Sequence, residues 1–394
     1  MQFIDDLDVS GKTVLVRVDY NVPLKDGRVQ DETRIQASIP TLEYALKHNA
    51  RLVLCSHLGK PKGQVRSELS LAPAAERLGT ILGKAVALAP DCIGEETLEM
   101  VRSLEPGQIL MLENLRFHPG EEKNDHEFSR ELARMGDIYV NDAFGASHRS
   151  HASVVGVTGH IPSCSGGLLL KKEWEYLSKV GDPERPFVLI AGGVKVSSKL
   201  GVLENLLRRV DAMLIGGAMA NTFVKAQGFS VGTSRVEDDL LDKAREIMQQ
   251  AREKKVQFYL PVDFMLGQGP DDESRAGVCP FQAIPEHLMA LDIGPATCTL
   301  FAEVLHRAKT VIWNGPMGAF EFRPFSQGSR NIAEIVAGLH ATTIVGGGDT
   351  DSLIHELDLQ DRFSFISTGG GSFMEFLEGK TLPGFKALEE CSSK

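Results

Sequence analysis

The sequence lacks the features that direct a chain into a membrane or onto a nucleic acid. Its first residues, MQFIDDLDVSGK, contain neither the basic n-region nor the apolar stretch of a secretory signal. No apolar run approaches the roughly 20 residues that cross a bilayer. The formal net charge is −11, which disfavours anionic partners. We therefore expect a cytoplasmic protein with no membrane and no nucleic-acid partner.

The cysteines show no metal-binding or redox pattern. They are scattered and contain no C-x-x-C pair: Cys55, Cys92, Cys164, Cys279, Cys298 and Cys391. In a chain of 394 residues without a visible signal, this usage predicts free, buried thiols rather than disulfides.

Common catalytic motifs are also missing. GKT at Gly11–Thr13 and at Gly379–Thr381 lacks the upstream glycine of a Walker loop, and GGGSFM at Gly369 lacks the third glycine of a dinucleotide fingerprint. His148 and His151 have no accompanying metal-ligand pattern. We find no Ser–His–Asp, nucleophilic cysteine or metal-hydrolase motif. A reaction whose nucleophile is already an anion, such as phosphoryl transfer between a nucleotide and a carboxylate, needs only positioning and charge neutralisation.

What the sequence does contain is an alternation of short β-branched runs and longer amphipathic segments. The runs in the first half are TVLVRVDYN, RLVLCSHLG, QILMLENLRF and DIYVNDAFG. Those in the second half are PFVLIAGG, AMLIGGAMA, QFYLPVDF, TVIWNGPMG, TTIVGGGDT and FSFISTGGG. Alternating strands and helices predict parallel sheets covered on both faces. The length favours two such domains, so we predict an α/β fold of two domains.

A segment near the middle of the chain is a candidate connector between these domains. Apolar residues at helical spacing predict a helix from Leu168 to about Val180, and GDPERP breaks the chain after it. The positions expected to be buried are Leu169, Leu170, Trp174 and Leu177. An ordinary helix within one domain is the alternative.

The two halves differ at the ends of their predicted strands, where open parallel sheets bind ligands. First-half runs end in charged or hydrogen-bonding side chains, among them Asp19, Asn21, His57, Lys60, Arg116 and Arg149. Second-half runs end in glycine, at Gly192–Gly193, Gly216–Gly217, Gly315, Gly346–Gly348 and Gly369–Gly371. The first half therefore predicts a positively charged pocket that would bind a small polyanion. The second offers bare backbone that a polyphosphate can approach closely.

Two motifs in the second half of the sequence are suited to binding phosphate groups. IVGGGDTDS sets Asp349 directly behind three glycines, where a carboxylate can hold Mg²⁺ beside phosphate oxygens. The alternative is a simple turn in which Asp349 or Thr350 caps the next helix. GGVKVSSK sets Lys195 and Lys199 four residues apart, on one face if helical, as a charge clamp for a phosphoryl group. Solvated surface lysines are the alternative.

Arginines from separate segments complete the candidate residues. Arg34, Arg116 and Arg149 carry the rigid fork that suits carboxylate and phosphate oxygens, although each alone is more typical of a surface residue. Arg17 is left outside the site, with a neighbouring acid such as Asp19 as its expected partner.

These motifs, in this order, resemble the phosphoglycerate kinase family over nearly the whole chain. The landmarks are RVDYNVP, SHLGKP, LENLRF, NDAFGASHRSHAS, GGVKVSSK, GGAMANTF, DIGPAT, WNGPMGAFE, GGGDT and STGGG. The resemblance implies a glycolytic phosphotransferase with a carboxyl acceptor, which converts 1,3-bisphosphoglycerate and MgADP reversibly into 3-phosphoglycerate and MgATP. It also implies a monomer of two Rossmann-like domains, each a parallel sheet flanked by helices, that close about a hinge helix for in-line transfer.

The resemblance further implies domain limits and site residues. Residues 1–170 with 375–394 would bind 3-phosphoglycerate, and residues 171–374 would bind the nucleotide with Mg²⁺. The implied catalytic residues are Arg34, Lys195, Gly348 and Gly371. The implied substrate-binding residues are Asp19, Asn21, Arg34, His57, Leu58, Gly59, Lys60, Arg116 and Arg149. The implied nucleotide-binding residues are Gly193, Lys199, Gly217, Gly294, Asn314, Glu321, Gly347, Gly348, Asp349 and Thr350, with Asp349 as metal ligand.

Within this set the resemblance assigns Arg34 to the acyl-phosphate end, Lys195 to the transferred group and Lys199 to the nucleotide phosphates. The chain departs from the family's usual pattern at Lys60, where an arginine is common, and at Tyr20, where phenylalanine is common. GGGSFMEF replaces the commoner GGGASLEF. The lysine keeps the charge but loses the bidentate fork of arginine.

Two other functions remain as alternatives at this point. A nicotinamide-dependent dehydrogenase would need a dinucleotide fingerprint with an acid downstream, which we do not find. A non-catalytic two-domain binding protein would have no use for Arg34, Lys195 and a metal-binding carboxylate.

Overall fold

The computed structural model describes residues 1–271 and 277–392. Contacts divide the chain into two compact units, Met1–Leu177 with Thr381–Lys394, and Ser178–Lys380. Each unit contains a six-stranded parallel sheet with helices around it, so the predicted fold class is confirmed. The units end a few residues later than the domain limits expected from the sequence.

The first unit is organised by its central strands. Its strands are β1 (Thr13–Arg17), β2 (Leu24–Lys25), β3 (Arg28–Val29), β4 (Arg51–Cys55), β5 (Val86–Leu88), β6 (Ile109–Met111), β7 (Ile138–Asn141) and β8 (Cys164–Gly166). The parallel sheet has the order β5-β6-β4-β1-β7-β8, and β2 pairs with β3 alone. Every residue of β1 is buried, as expected of a strand covered on both faces. Arg17 pairs with Cys55 of β4 and with Asn141 of β7, so these three strands end level.

Helices cover both faces of this sheet. They are α1 (Thr33–Lys47), α2 (Ala72–Leu82), α3 (Glu95–Arg102), α4 (Pro119–Lys123), α5 (His126–Ala133) and α6 (Leu168–Ser178). In α1, Ile35, Leu42 and Ala45 recur at helical spacing and are fully buried in the same apolar cluster as β1 and β4.

The predicted connector helix is present as α6. Its N-terminus lies against Asp142, whose Oδ1 accepts hydrogen bonds from the backbone N–H groups of Leu169 at 3.0 Å and Leu170 at 3.3 Å. Burial raises the pKa of this carboxyl to about 7. Leu169 and Trp174 are only partly buried. The fully buried positions of α6 are Leu170, Glu173 and Leu177.

The second unit contains two sheets. Its strands are β9 (Phe187–Ala191), β10 (Ala212–Ile215), β11 (Gln257–Tyr259), β12 (Asp263–Gly267), β13 (Gly277–Pro280), β14 (Met289–Ile293), β15 (Thr310–Asn314), β16 (Thr342–Gly346) and β17 (Phe365–Ile366). The parallel sheet has the order β11-β10-β9-β15-β16-β17, and an antiparallel sheet has the order β13-β12-β14. Asn314 pairs with Ala191 and with Gly346, so β9, β15 and β16 also end level.

The helices of the second unit follow its strands. They are α7 (Leu200–Leu206), α8 (Met219–Ala226), α9 (Leu241–Glu253), α10 (Pro295–Leu305), α11 (Gln327–Ala337), α12 (Gly348–Glu356) and α13 (Gly370–Leu377). Each of the quoted apolar runs contains a strand, so these predictions are confirmed. The strands β5 and β8, the β2–β3 hairpin and the antiparallel sheet were not predicted. In the described ranges, no helix is both long and apolar enough to span a bilayer.

The final helix, α14 (Pro383–Ser392), belongs to the first unit. Its Phe385 ring lies 5.3 Å from that of Trp174 in α6, between ring centroids. Cys391 of α14 forms a disulfide with Cys164 of β8. The prediction of free thiols is therefore wrong for this pair, because a partner 227 positions away leaves no local pattern. It is confirmed for Cys55, Cys92 and Cys298, which are free and buried, whereas free Cys279 is partly exposed.

Candidate active site

In the first unit, the segments after β1 and β4 meet α1. Arg34 of α1 donates from Nη1 to Asp19 Oδ2 at 2.9 Å and to the backbone oxygen of Asn21 at 3.2 Å. Gly59, in the loop after β4, donates its N–H to Asn21 Oδ1 at 2.9 Å. The strands end level, so residues distant in sequence become neighbours. The structure thus brings Asp19, Asn21, Arg34 and Gly59 together.

The loop of residues 57–60 is held by a side chain that was not predicted to belong to the site. Fully buried Asn114 accepts the N–H of Leu58 at 3.2 Å and donates to the Leu58 oxygen at 2.8 Å. Arg116 donates from Nη1 to the Gly59 oxygen at 2.7 Å, and its Nε lies 3.3 Å from Glu122. Buried hydrogen bonds of this kind fix a loop in one conformation.

The expected pairing of Arg17 with Asp19 is wrong. Arg17 is only 1% exposed and donates from Nε to Ser153 Oγ at 2.9 Å. Ser153 in turn donates its hydroxyl to Glu121 Oε1 at 2.6 Å and its backbone N–H to Glu121 Oε2 at 2.9 Å. Ser153 lies 136 positions after Arg17, so local reading of the sequence favoured the nearer acid.

Glu121 is fully buried but stays ionised. Burial by itself raises the pKa of its carboxyl, yet the contact with His151, whose Nδ1 lies 3.7 Å from Oε1, the charge of Arg17 and the bonds from Ser153 outweigh it, so the pKa is lowered overall. A buried charge is tolerated only when paired and hydrogen-bonded in this way. We define Arg17, Ser153, Glu121 and His151 as the buried network of the first unit.

His57 lies in contact with this network and is neutral. Burial lowers the pKa of its imidazole well below the usual value, and the charges of Arg17, Arg116 and Arg149 lower it further. Arg17 Nη2 lies 3.0 Å from His57 Nδ1. A guanidinium only donates, so Nδ1 accepts and the imidazole proton is on Nε2. That Nε2 is buried and has no hydrogen-bond partner among the described residues.

His57, Arg116 and Arg149, which we call the basic cluster, have electrostatics that favour an anionic ligand. Burial lowers the pKa of Arg116, and the charge of Arg149 lowers it further because two guanidinium groups repel. Lys60, the last residue of the 57–60 loop, is exposed. A ligand with several negative charges would relieve the repulsion and take the free His57 N–H as a donor.

In the second unit, a cavity of about 520 Å³ lies at the carboxyl ends of β9, β15 and β16. The predicted residues that line it are Gly193, Lys195, Lys199, Asn314, Gly347, Gly348, Asp349 and Thr350. Residues from three separate motifs thus converge on one cavity, whose charged groups are two lysines and one carboxylate beside exposed glycine backbone.

The glycine loop after β16 has a backbone that only glycine suits. Gly347 has a φ of +107°, and a Cβ there would lie 2.9 Å from Asn314 Nδ2. Helix α12 begins at Gly348, so Asp349 and Thr350 lie in its first turn and do not cap it. Thr350 Oγ1 instead accepts the N–H of Gly315 at 2.9 Å. The positive end of α12 is therefore directed at the cavity.

The two lysines are not on one face of a helix, as the sequence suggested. Lys195 lies in irregular chain, residues 197–199 form a turn, and Lys199 precedes α7 as its N-cap. Burial lowers the pKa of Lys199 to about 8, and Asp349 opposes this shift. Lys199 Nζ lies 3.8 Å from the sulfur of Met374. Lys195 is exposed, so the clamp consists of one constrained and one free ammonium group.

A second cavity of about 260 Å³ shares Gly193 and Asp349 with the first, and we call it the apolar cavity because Met289, Leu291 and Phe322 line it. Predicted Glu321 lines it, and the residues that were not predicted include Val194, Arg235, Met289, Leu291, Ala319 and Phe322. They come from several segments and carry no common motif. A flat aromatic group fits such walls, with a phosphate chain continuing toward Lys195 and Lys199.

Three predicted glycines lie outside the lining of both cavities. Gly217 packs against Gly193, where a Cβ would lie 2.5 Å from the backbone. Gly294 caps α10, with the Asp263 carboxylate close to its Cα. Gly371 is exposed in the first turn of α13.

The carboxylate in the phosphate cavity suits a hard divalent cation. Asp349 is exposed and lies close enough to Lys199 to influence its pKa. Mg²⁺ is typically held by one or two carboxylates and completes its shell with phosphate oxygens and water. The donor set therefore fits Mg²⁺ bound together with a nucleotide.

Comparisons with known proteins agree with this architecture. A sequence model of the family described as "Phosphoglycerate kinase" matches residues 4–380. The chain is 54% identical to a phosphoglycerate kinase of Maridesulfovibrio salexigens, over 100% of both chains. It is 51% identical to one of Geobacter sp. (strain M21), over 99% of this chain and 98% of that protein.

Solved structures agree as well. Phosphoglycerate kinase from Coxiella burnetii matches with a TM-score of 0.91 and 40% identity, over 98% of both chains. That of Pyrococcus horikoshii OT3 matches with a TM-score of 0.87 and 31% identity, over 100% of both. Neither the dehydrogenase nor the binding-protein alternative is supported. The chain belongs to the phosphoglycerate kinase family.

Proposed function

We propose that this chain catalyses reversible phosphoryl transfer, from 1,3-bisphosphoglycerate to MgADP in the glycolytic direction and from MgATP to 3-phosphoglycerate in reverse. The observation that carries the proposal is the cavity of the second unit, where Lys195, Lys199 and Asp349 face glycine backbone. Positioning and charge neutralisation are what phosphoryl transfer requires of a protein.

The first unit would bind the glycerate substrate. Its neutral His57 offers an unpaired buried N–H, and the surrounding arginines supply positive charge. The proposed contacts are Asp19, Asn21, Arg34, His57, Leu58, Gly59, Lys60, Arg116 and Arg149. Arg34 is fixed by Asp19 and is the proposed partner of the acyl-phosphate end.

The second unit would bind the nucleotide. The base would enter the apolar cavity near Glu321, and the phosphates would lie along the glycine loop near Lys199 and Asn314. Gly193, Gly217 and Gly294 are proposed nucleotide-site positions that shape the surrounding backbone. Mg²⁺, when bound, would neutralise charge on the phosphate oxygens, and Asp349 would hold it.

The chemistry would need no general base, because the attacking carboxylate is already ionised. Lys195 is the proposed partner of the phosphoryl group during transfer. Amides at the helix starts near Gly348 and Gly371 would stabilise the charge that develops on its oxygens. In-line geometry is the expected outcome of such positioning.

Because the two substrates would bind to different units, we infer that transfer requires closure, with α6 as the hinge helix. Residues 1–170 with 375–394 and residues 171–374 are the proposed functional domains. We further propose a cytoplasmic monomer with small-molecule partners, for which the net charge of −11 argues against nucleic acid and membrane surfaces. Small-angle scattering should show compaction only with both substrates present, and an unchanged profile would contradict closure.

The activity is tested by following ATP formation from 1,3-bisphosphoglycerate and ADP with a coupled enzyme, and by the reverse reaction. Turnover that requires Mg²⁺ and both substrates supports the proposal. Nucleotide binding without turnover would favour a binding protein, and turnover only with a nicotinamide cofactor would favour a dehydrogenase.

The metal assignment is tested by Asp349→Ala. The variant should bind MgADP more weakly while its affinity for metal-free ADP changes little, as measured by calorimetry. Equal losses for the two ligands would mean that Asp349 only stabilises the start of α12 and does not hold the ion.

A further inference from the structure

The first unit contains a cluster of metal-ligating side chains that the proposed reaction does not use. Asp91 and Cys92 lie between β5 and α3, and His118 lies directly before α4. The ligand atoms of these three side chains all lie within 4.8 Å of one another. The closest pair is His118 Nε2 and Asp91 Oδ1, at 2.6 Å.

The structure around the cluster holds the three side chains in place. The backbone oxygen of Asp91 accepts a hydrogen bond from Thr97 Oγ1 at 3.2 Å, which ties the loop to the first turns of α3. The backbone N–H of His118 donates to the backbone oxygen of Leu115 at 3.2 Å. The His118 ring also lies 5.4 Å from that of Phe128, between centroids. Two separate segments are thus fixed so that their side chains converge.

The cluster combines a buried soft ligand with an accessible opening. Cys92 is fully buried, whereas the side chains of Asp91 and His118 are 44% and 29% exposed. An ion from solvent would therefore meet the carboxylate and the imidazole before the buried thiol. Three protein ligands with one open side match a tetrahedral site whose fourth position holds water.

The donor types decide which ion would bind. One sulfur, one imidazole nitrogen and one carboxylate oxygen suit Zn²⁺, whereas Mg²⁺ and Ca²⁺ take oxygen ligands. We propose that Asp91, Cys92 and His118 form a site for Zn²⁺, distinct from the Asp349 position proposed for Mg²⁺. The site does not depend on the proposed catalytic function.

Zinc binding would change the protonation of the cluster. Burial, together with the charge of Asp91, raises the pKa of the Cys92 thiol well above its usual value, so the free protein holds it protonated. Ligation requires the thiolate, and the Sγ proton passes to the buffer. His118 Nε2 would give up the proton that it now donates to Asp91, either to its own Nδ1 or to the buffer, and the hydrogen bond would be replaced by two metal bonds. At least one proton is therefore released per ion bound.

The site would also tie together two segments near the basic cluster. His118 follows Arg116 by two residues, and Glu122 of the adjoining α4 lies 3.3 Å from Arg116. An ion shared by residues 91, 92 and 118 would cross-link the loop after β5 to the segment that carries Arg116. Occupancy should therefore stabilise the native first unit, because the unfolded chain offers no assembled site.

The test is a titration of the full chain, freed of metal by chelation and kept under argon without nucleotide. Zn²⁺ affinity is measured by competition with a chromophoric chelator, and Co²⁺ serves as an optical probe. We expect one ion per chain, a thiolate-to-Co²⁺ charge-transfer band, and proton release that appears as buffer-dependent binding heat.

Variants separate this site from adventitious binding. Cys92→Ser and His118→Ala should each weaken Zn²⁺ binding by more than about 100-fold, since loss of an outer partner alone typically costs 10–100-fold. The matched controls are Cys298→Ser, another free buried cysteine, and His126→Ala, an exposed histidine of the same unit. Neither control should change the affinity.

Two outcomes would overturn the proposal. One is the absence of stoichiometric binding by the unmodified chain. The other is Zn²⁺ affinity that Cys92→Ser leaves unchanged, together with a Co²⁺ spectrum lacking the charge-transfer band. Asp91→Asn, which preserves shape, provides a second ligand variant if circular dichroism shows that Cys92→Ser is misfolded. It should also weaken binding, and unaltered affinity in it would equally count against the site.

Discussion

The two units present opposite solutions to the binding of anions. The site of the first unit is made of side chains that are fixed by polar contacts, such as Arg34 by the Asp19 carboxylate and Arg116 by the backbone oxygen of Gly59. The cavity of the second unit is lined largely by backbone, with an exposed lysine and an exposed carboxylate. A small polyanion is bound best by hydrogen-bond donors at fixed positions and angles. A phosphate chain needs backbone amides that it can approach closely and mobile positive charges that stay near it as it reacts.

The difference extends below the surface of each site. Under the basic cluster lies the buried network, in which Arg17, Ser153 and Glu121 satisfy one another. Under the glycine loop lie apolar strands, and the lysine clamp rests on irregular chain and a turn before α7. We therefore expect changes in the first unit to act mainly through structure, and changes in the second mainly through turnover or affinity.

The largest expected effect comes from Arg17→Met, which breaks the buried network. Glu121 would remain buried without the nearby charge of Arg17, and Ser153 would lose its donor. Removal of one partner from a buried ion pair typically costs about 3–5 kcal/mol, which sets the upper range expected here. The first unit should unfold at lower urea, whereas the second should be unaffected. Arg28→Met, at an exposed arginine of the same unit, should change the stability little.

The two tryptophans allow each unit to be followed alone, because Trp174 lies in the first and Trp313 in the second. Fluorescence of Trp174 is read in a Trp313→Phe background, and that of Trp313 in a Trp174→Phe background. An equal loss of stability in both units, or no loss in either, would contradict the contrast between the sites.

The next effect is on turnover. Lys195→Ala should lower kcat by roughly 10²–10³-fold, the range seen when one group that stabilises a transition state is removed. Affinity for MgADP should change little, because Lys199 and the glycine loop remain. The coupled assay and calorimetry measure the two quantities, with Lys254→Ala, an exposed lysine of the same unit, as control. Unchanged turnover would remove Lys195 from the site.

A third test uses the pKa of Lys199, which burial lowers to about 8. Above that pH the free protein holds Lys199 neutral, so binding of phosphate must draw in a proton. The affinity for MgADP should therefore fall by up to about tenfold per pH unit above 8. Lys199→Arg keeps its charge at these pH values and should lose most of this dependence. Parallel profiles in the two proteins would show that another group titrates.

The smallest effect is expected at Lys60. Lys60→Arg adds the bidentate fork while keeping the charge, so the KM for 3-phosphoglycerate should fall only a few-fold, or by about 0.5–1 kcal/mol. The neighbouring exposed Lys62→Arg serves as control. A rise in KM would indicate that Lys60 takes part through its compact ammonium group.

The strands of both parallel sheets could be predicted because continuous apolar runs mark them. β8 escaped prediction because Cys164–Gly166 is short and small, and pairing with β7 decides its conformation. The antiparallel sheet was not predicted, because the apolar run QFYLPVDF contains both β11 and the start of β12 and was interpreted as a single strand. The local sequence pattern identifies long buried strands, whereas short strands at the edge of a sheet form only because they pair with a neighbouring strand.

The candidate site shows the same limit. Residues within motifs, such as Lys195 and Asp349, could be predicted because glycines and charges stand next to each other, and they line one cavity. Arg17 was assigned to the wrong partner because Ser153 is remote in sequence, and the lysines were placed on a helix where the chain is irregular or forms a turn. The apolar cavity has no motif, because Met289, Leu291 and Phe322 meet only after folding.

The return of α14 to the first unit has a consequence for biosynthesis. Residues 178–380 form a continuous unit, whereas the first unit needs residues 381–392 to be complete. A ribosome makes those residues after the second unit, so β8 must wait for Cys391 until the whole second unit has been translated. Domains usually finish folding in the order in which they are made. In this chain the second unit can finish first, and the nascent first unit exposes the surface that α14 will cover until the second unit and α14 have both been made.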